Sequence, residues 1–228
     1  MDTTVTDHLL STTRAVRRKL DLQRPVATEI IIECLRIAVQ APTPGPTQTW
    51  RWLVVQDQAV KNAIGALFRE VGDAYLRRRI ESAGPQAKQP AFARAMASAQ
   101  HLIDVIERVP VFVIPCILGR PTGDNAALAV YYGGIFPAVW TLQLALRSRG
   151  LGSTLTSYHL EREAEAAEIL GIPDDVTQVG LLPVGYITTD DLRPGPRQPA
   201  DELTFFDQWG ESAPPAGPNG AAAAHSSR

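Results

Sequence analysis

The feature that most constrains the fold is an apolar run, Val109 to Leu118, with the sequence VPVFVIPCIL. The run is far shorter than the roughly 18 residues that a membrane helix needs, and its valines and isoleucines favour a strand. A strand that is apolar at every position has both faces covered rather than one face in water. The sequence therefore predicts a buried strand with other elements packed on both sides of its sheet.

Helical periodicity is found on both sides of this strand. From Thr28 to Ala41, apolar residues recur at spacings of three and four, with Thr28 as the cap and Pro42 as the stop. Ile135 to Arg149 is apolar nearly all round and ends at Gly150, which predicts a central buried helix. Further helices are predicted at 58–81, at 87–108, at 161–170 and, capped by Thr6 or Asp7, near the start of the chain.

Two more strands are predicted, Trp50 to Gln56 and Thr177 to Ile187. Because helices and strands do not alternate strictly, their order favours an α+β sandwich over a Rossmann fold, and neither a GxGxxG turn after a strand nor a Walker A loop is present. We expect one domain over residues 1–211, with a helical excursion near 58–108. Residues 212–228 are rich in Pro, Gly, Ala and Ser, which predicts a disordered tail.

The charge balance excludes several partners. With a net charge of -2 and a pI near 6.1, the chain has no global basic field for nucleic acid or an anionic membrane. No apolar run is long enough to span a membrane and no signal peptide is evident, so a cytoplasmic protein is expected. Cys34 and Cys116 lie far apart without CxxC spacing or a nearby His, and we expect no metal site.

Four segments, in order over roughly residues 12–209, resemble the FMN-dependent nitroreductase family. The first is RAVRRKLDLQRPV, in which Arg14, Arg18 and Asp21 fit the opening motif of the family. The resemblance implies that Arg14 and Arg18 grip the phosphate and ribityl chain of FMN, with Arg17 in support because Val16 replaces the usual Ser. Taken alone, the segment is better explained as a solvated basic run beside Asp21.

The second segment is APTPGPTQTWRWLVV, which resembles the family's helix end running into the first strand. In the family this loop reaches across the dimer to the partner's flavin ring, although Pro46 here replaces an Asn. The resemblance implies flavin contacts from Pro42, Thr43, Pro44 and Gln48. As a bare loop, the segment would be a simple connection between a helix and a strand.

The third segment is YYGGIFPAVWTLQLALRSRGLGST, similar to the family's central helix, whose hydrophobic face we expect to be a dimer core. Gly134 allows close approach of a planar ligand, or else serves helix packing. Thr154, Thr156 and Ser157 follow where the family places donors near the flavin N5. Their hydroxyls also resemble the dehalogenase branch of the family.

The fourth segment joins ILGIPDDVTQVGLLPVGYI to PRQPADELTFFDQW. It resembles the family's last internal strand and the C-terminal arm that adds an edge strand to the partner's sheet. The resemblance implies that Arg197 is a third phosphate contact.

The resemblance implies a nitroreductase-like α/β/α sandwich with a central mixed, mainly antiparallel sheet, in an intertwined homodimer. It implies a ping-pong oxidoreductase that carries hydride from NAD(P)H through FMN to a nitroaromatic, a quinone or a similar small acceptor, with no catalytic residue supplied by the protein. Residues 58–108 would shape the substrate pocket, and Arg77, Arg78 and Arg79 either meet a nicotinamide cofactor's phosphate or form a solvated helix face. The alternatives are a reductive dehalogenase, a flavin-consuming enzyme, a non-catalytic FMN-sequestering protein and a purely structural dimer.

Overall fold

The computed structural model describes residues 2–189 and 191–212, so the predicted tail, apart from Ser212, lies outside the described residues. Its helices are α1 Thr3–Thr12, α2 Thr28–Ala38, α3 Gln58–Glu81, α4 Pro90–Val105, α5 Asn125–Gly133, α6 Phe136–Arg147 and α7 Glu163–Leu170. Its strands are β1 Trp50–Val55, β2 Val111–Leu118, β3 Leu151–Ser153, β4 Val176–Gln178 and β5 Leu182–Tyr186.

The sheet is arranged around β2. Its order is β1-β2-β5-β3, with β4 also paired to β2, and each ladder between these strands is antiparallel. A single parallel bridge joins Gly119 to Val176. The predicted α+β architecture with a mainly antiparallel sheet is thereby confirmed.

The alternating side chains of β2 divide the core into two layers. Val111, Val113 and Ile117 pack in one cluster with residues of α2 and α6. Phe112 and Ile114 pack in the other, with residues of α3, α4 and α7. Both faces of β2 are therefore covered, as its apolar sequence predicts.

The predicted strand over residues 177–187 is wrong, because the structure has two strands there. Pro115 lies in β2 between the residues that pair with β4 and those that pair with β5. Its carbonyl accepts from Val179 N at 3.0 Å, but proline has no N–H to return a bond on that side, and the ladder breaks. The bend brings Gly180 so near Leu155 that a Cβ would lie 2.6 Å from Leu155 Cδ1.

Several predicted helix bounds are also wrong. Asp2, rather than Thr6 or Asp7, caps α1, and α2 ends at Ala38 rather than at Ala41. Thr28 is the first helical residue of α2 rather than its cap, and its hydroxyl bonds Gln56 Oε1 at 2.8 Å. The predicted helix over 87–108 is α4 flanked by short 3-10 turns, and the one over 161–170 begins as a 3-10 turn, Tyr158–Arg162. Helix α5 and strand β3 were not predicted from the sequence.

Residues Asn125–Arg147 are long and apolar enough to cross a membrane by length and composition, a test that core helices of globular proteins also pass. The chain here forms two helices, α5 and α6, and α6 packs on α2 through Ala138, Leu142 and other buried residues. The outer face remains apolar and open in the single chain, with Trp140 41% exposed.

The basic segment before α2 lies as an extended strap against the sheet. Val16 N donates to Ser153 O at 3.0 Å and Asp21 N donates to Tyr186 O at 2.8 Å. Val16 is buried against Gly152, where a Cβ would come within 2.8 Å of Val16 Cβ. The strap therefore holds Arg17 and Arg18 at a fixed place beside β3.

Contacts divide the chain after Arg193, and residues 194–212 form a second unit. This unit contains a 3-10 turn, Ala200–Leu203, and a tight turn in which Asp207 has a φ of 62°. Within the described residues it contributes no strand to the sheet of the same chain. Leu203, Phe205, Phe206 and Trp209 are exposed.

Candidate functional site

Two neighbouring cavities carry five of the sequence-predicted site residues, namely Arg14, Arg17, Arg18, Thr156 and Ser157. The larger, of about 560 Å³, is lined by Tyr75 and Tyr158, by Thr156 and Ser157 and by Arg17, and we call it the aromatic cavity. The smaller, of about 340 Å³, is lined by Arg14, Arg17, Arg18, Lys19 and Arg193, among others, and we call it the basic cleft. Arg17 and helix α4 line both. Each volume lies in the range of ordinary ligand sites.

Arg17 is the cation between the two cavities. Its side chain is half-buried, and among the described residues it makes no ion pair and donates no hydrogen bond. Burial lowers the pKa of Arg17, and the nearby Tyr158 opposes this only in part. A desolvated cation without a partner is unfavourable, so the position favours an anionic or strongly polar ligand.

Lys19 and Arg193 also line the basic cleft, and the sequence did not predict either residue as part of the site. Arg14 Nη1 donates to Arg193 O at 3.2 Å, and Lys19 Nζ approaches Asp191 O at 3.4 Å. Arg193 Nε in turn pairs with Asp191 Oδ1 at 2.7 Å. This hydrogen bond and the charge of Arg193 lower the pKa of Asp191. The only signal in the sequence was a basic residue shortly after the last strand, close to the predicted Arg197.

The three predicted hydroxyls are not equivalent. Thr154 is buried, and Thr156 Oγ1 donates to Leu181 O at 2.8 Å, so its proton is already bonded. Ser157 is exposed, and its hydroxyl makes no hydrogen bond to another described residue. Ser157 is therefore the hydroxyl available to a ligand in the aromatic cavity.

The aromatic wall of the larger cavity was also missed. Tyr158 lies edge-on to Phe68, with ring centroids 5.0 Å apart, and Tyr75 lies 5.4 Å from Tyr158. Tyr75 comes from α3 and Tyr158 from the turn after β3, so no local pattern links them. Leu102 of α4 and Leu155 complete a wall that suits a flat ring.

The predicted loop lies elsewhere in the single chain. Pro44 and Gly134 line a separate cavity of about 340 Å³, where a Cβ on Gly134 would be 3.2 Å from Pro44 Cδ. Thr43 Oγ1 donates to Gly45 O, and Gln48 Nε2 donates to Val39 O at 2.8 Å, which tethers the loop to the end of α2. Pro42 belongs to the same loop. One chain thus does not bring the loop to the aromatic cavity or the basic cleft.

Arg197 lies in the second unit, where its Nη1 donates to Pro196 O at 2.9 Å. Its assignment to the phosphate therefore remains a prediction.

His159 is fully buried directly behind Ser157 and Tyr158. Among the described residues, neither ring nitrogen of His159 has a hydrogen-bond partner within bonding geometry. The side chain of Gln178 is nevertheless close enough to favour the protonated imidazole. Burial lowers the pKa of His159 to about 4, against weaker opposition from Glu163 and Gln178. Glu163 is itself held by Arg120, which donates to both carboxylate oxygens. The turn that carries the site hydroxyls thus rests on a neutral imidazole.

The arrangement fits FMN. The basic cleft supplies cations for a phosphate, the aromatic cavity supplies a flat apolar wall, and Ser157 supplies a free hydroxyl. Arg17 is half-buried between the two and has no partner among the described residues. Pairing with a flavin phosphate or a ring oxygen would explain why a cation lies at this position. Among the residues that the structure describes, no cluster of His, Cys, Asp or Glu is placed to hold a metal ion.

The chain matches one known protein family over most of its length. The profile of the nitroreductase family matches residues 10–186. The iodotyrosine deiodinase of Nematostella vectensis is 26% identical over 197 residues, which cover 83% of this chain and 70% of that protein. An iodotyrosine deiodinase of Thermotoga neapolitana is 25% identical, over 85% of this chain and 93% of that protein.

A solved structure shares the fold. An FMN- and NADPH-dependent nitroreductase mutant from Sphigopyxis sp. strain HMH superimposes with a TM-score of 0.63 at 22% identity, and the match covers 87% of this chain and 97% of the other. At this identity the likeness is one of fold alone.

The burial of His159 predicts a pH dependence of stability. As the pH falls below 6.5, the unfolded chain binds a proton at this imidazole that the folded chain refuses until about pH 4. The free energy of unfolding therefore falls with falling pH, by about 3 kcal/mol across that window from this residue. His159→Gln removes this pH-dependent loss of stability. Urea denaturation should therefore show that the wild type loses more free energy of unfolding than the variant between pH 7 and pH 4.

His8→Gln is the matched control, because His8 is exposed on α1. Curves of stability against pH that run parallel for wild type and His159→Gln would show that the imidazole is not held neutral.

Proposed function

The chain belongs to the nitroreductase family, and from that premise we propose an FMN-dependent oxidoreductase that passes hydride from NAD(P)H to a nitroaromatic, a quinone or a similar small electron-poor acceptor. The observation that carries the proposal is the guanidinium of Arg17, which is half-buried between the basic cleft and the aromatic cavity and has no partner among the described residues. A site that desolvates a cation beside an aromatic wall is suited to a phosphorylated, planar cofactor.

The basic cleft would hold the FMN phosphate. Arg14, Arg18 and Arg193 line it, and charge-assisted bonds from such groups contribute about 1.5 to 3 kcal/mol each. In the single chain the carboxylate of Asp191 pairs with the guanidinium of Arg193. The FMN phosphate would compete with this carboxylate for the guanidinium. Arg17 would bond the part of the cofactor that passes from cleft to cavity.

When bound, FMN supplies the redox chemistry, taking hydride from NAD(P)H and giving two electrons to the acceptor. The residues of the aromatic cavity bind and orient. Tyr75 and Tyr158 offer faces and edges on which a flat acceptor packs, while Leu102 and Leu155 exclude water. Ser157 is placed to hydrogen bond the cofactor or acceptor, and no acid or base from the protein is assigned.

A second candidate is reductive dehalogenation. Three relatives of this chain are named iodotyrosine deiodinases and a fourth an iodotyrosine dehalogenase homolog. The hydroxyls of Thr154, Thr156 and Ser157 fit the dehalogenase branch of the resemblance. Against it, Thr156 donates its proton to Leu181 O and Thr154 is buried. Only Ser157 is left to face a ligand, so the nitro or quinone acceptor remains the first candidate.

We propose that the working form is an intertwined homodimer. Val130 and Trp140 expose apolar surface on α5 and α6, and the outer edge of β1 has no neighbouring strand among the described residues. The exposed aromatic residues of the second unit would pack against the β1 edge of a partner chain. The loop of Pro42 and Gln48 would then reach the partner's flavin, which accounts for its separation from the cavities within one chain.

The activity is tested on protein loaded with FMN and desalted. Under anaerobic conditions, retained flavin absorbance should bleach on addition of NADPH or NADH, and return when a nitroaromatic or a benzoquinone is added. Return of colour with release of iodide from 3-iodotyrosine, and no response to nitro compounds or quinones, would instead establish the second candidate. Loss of flavin without any acceptor would reveal a flavin-consuming enzyme, and retained flavin that no nucleotide bleaches would contradict an oxidoreductase.

The dimer is tested by Trp140→Glu, which places a charge on the exposed face of α6. We expect sedimentation velocity to show a dimer for the wild type and a monomer for the variant, with reduced FMN retention. Ile80→Glu, an exposed apolar residue on α3, is the control and should remain dimeric. A monomeric wild type would contradict the proposal, as would a wild type that sediments with membranes because the α5–α6 face inserts into lipid.

A further inference from the structure

A concentrated basic surface surrounds the turn between α3 and α4. Residues 75–95 contain five basic side chains and one acidic side chain, in a chain whose net charge is -2. We call this surface the basic turn, and its members are Arg77, Arg78, Arg79, Lys88 and Arg94. All five side chains are exposed. None of them lines the basic cleft that would hold the FMN phosphate.

One member of the basic turn, Arg78, lies beside the aromatic cavity. Arg78 Nη2 is 3.6 Å from Glu161 Oε1, and Glu161 lines that cavity. Tyr75, one helical turn before Arg78, lines it as well. The guanidinium of Arg79 lies over the ring of Phe92 at 5.6 Å, which brings the start of α4 beside the end of α3. A ligand that enters the cavity beside Glu161 therefore comes near Arg78.

The cations are free to bind a ligand. Within the described residues, Arg78 has the single ion pair of the group, and its side chain and that of Glu161 are 62% and 56% exposed. Exposed pairs of this kind contribute about 0 to 1 kcal/mol, so a ligand displaces Glu161 at little cost.

Stabilisation of α3 explains only part of the surface. Arg78 and Arg79 lie in its last turn, where cations complement the helix dipole. Lys88 and Arg94 flank the beginning of α4, where the dipole disfavours a cation. An anion bound between the two helix ends would explain both sets.

We propose that the basic turn binds the 2'-phosphate of the reducing nucleotide, and that the co-substrate is NADPH rather than NADH. The inference rests on the proposed function. A dinucleotide whose nicotinamide enters the aromatic cavity leaves its adenosine at the mouth, and the two nucleotides differ only in the phosphate on that adenosine. Arginine binds a phosphate through two parallel N–H donors, which outweighs what a ribose hydroxyl can gain.

The first test compares kcat/KM for the two nucleotides on FMN-loaded protein. We expect the wild type to favour NADPH by at least about tenfold, which corresponds to about 1.4 kcal/mol. In the triple variant Arg77→Gln, Arg78→Gln, Arg79→Gln, the KM for NADPH should rise until the preference is lost, while the values for NADH change little. Glutamine keeps the helix propensity of these positions. Arg36→Gln is the control, because Arg36 is an exposed arginine in the last turn of α2.

The second test needs no turnover. Calorimetry on the same FMN-loaded proteins should show binding of 2',5'-ADP that is at least about tenfold tighter than that of 5'-AMP, and the triple variant should abolish the difference. Equal binding of the two probes to wild type, or an unchanged difference in the triple variant, overturns the inference. Flavin that is reduced equally well by both nucleotides would also overturn it while leaving the proposed function intact. Flavin that neither nucleotide reduces would end the proposed function, and the calorimetry would still decide whether the phosphate site exists.

Discussion

Burial of β2 on both faces is the constraint on which the rest of the molecule depends. Seven of its eight residues are buried, and β1, β4 and β5 all pair with it. Because the buried side chains of β2 are apolar on both faces, exposing either face to water would be unfavourable. Helices α2 and α6 cover one face of the sheet, and α3, α4 and α7 cover the other. Functional side chains are then confined to the edges of this sandwich, where the strap, the turn after β3 and the α3–α4 excursion meet.

The strap brings a cation to the boundary between the two cavities. Val16 occupies the space left by Gly152, and its N–H is bonded to Ser153, so the backbone N–H at this position is not available to a ligand. What the strap presents instead is Arg17, partly desolvated and without an ion-pair partner among the described residues. A charge kept in this state lowers the stability of the protein without ligand, and an anionic ligand that pairs with it recovers that free energy as binding. The fold thus holds the guanidinium of Arg17 where the proposed anionic cofactor would pair with it.

The sequence predicted what depends on local pattern. Periodicity located α3 at its observed bounds, and the apolar run located β2. The resemblance selected Arg14, Arg17 and Arg18, which the structure brings to one cleft, and Thr156 and Ser157, which line the adjoining cavity. Features that depend on distant pairing escaped prediction. Tyr75 and Arg193 meet these cavities from elements far along the chain, and the break opposite Pro115 follows from a ladder that no single segment encodes. The loop near Gln48 lies apart from both cavities within one chain, and the flavin contacts that the resemblance implies for it would require a second chain.

The most direct test is the affinity of FMN for the wild type and for Arg17→Gln, measured by calorimetry together with the stability of each protein without ligand. The account predicts an FMN Kd about ten- to a hundredfold weaker in the variant, the loss of one charge-assisted bond, with the ligand-free variant as stable as the wild type or more so. An unchanged Kd for FMN, or a variant that is less stable without ligand, would contradict the claim that Arg17 is a buried charge held for the cofactor.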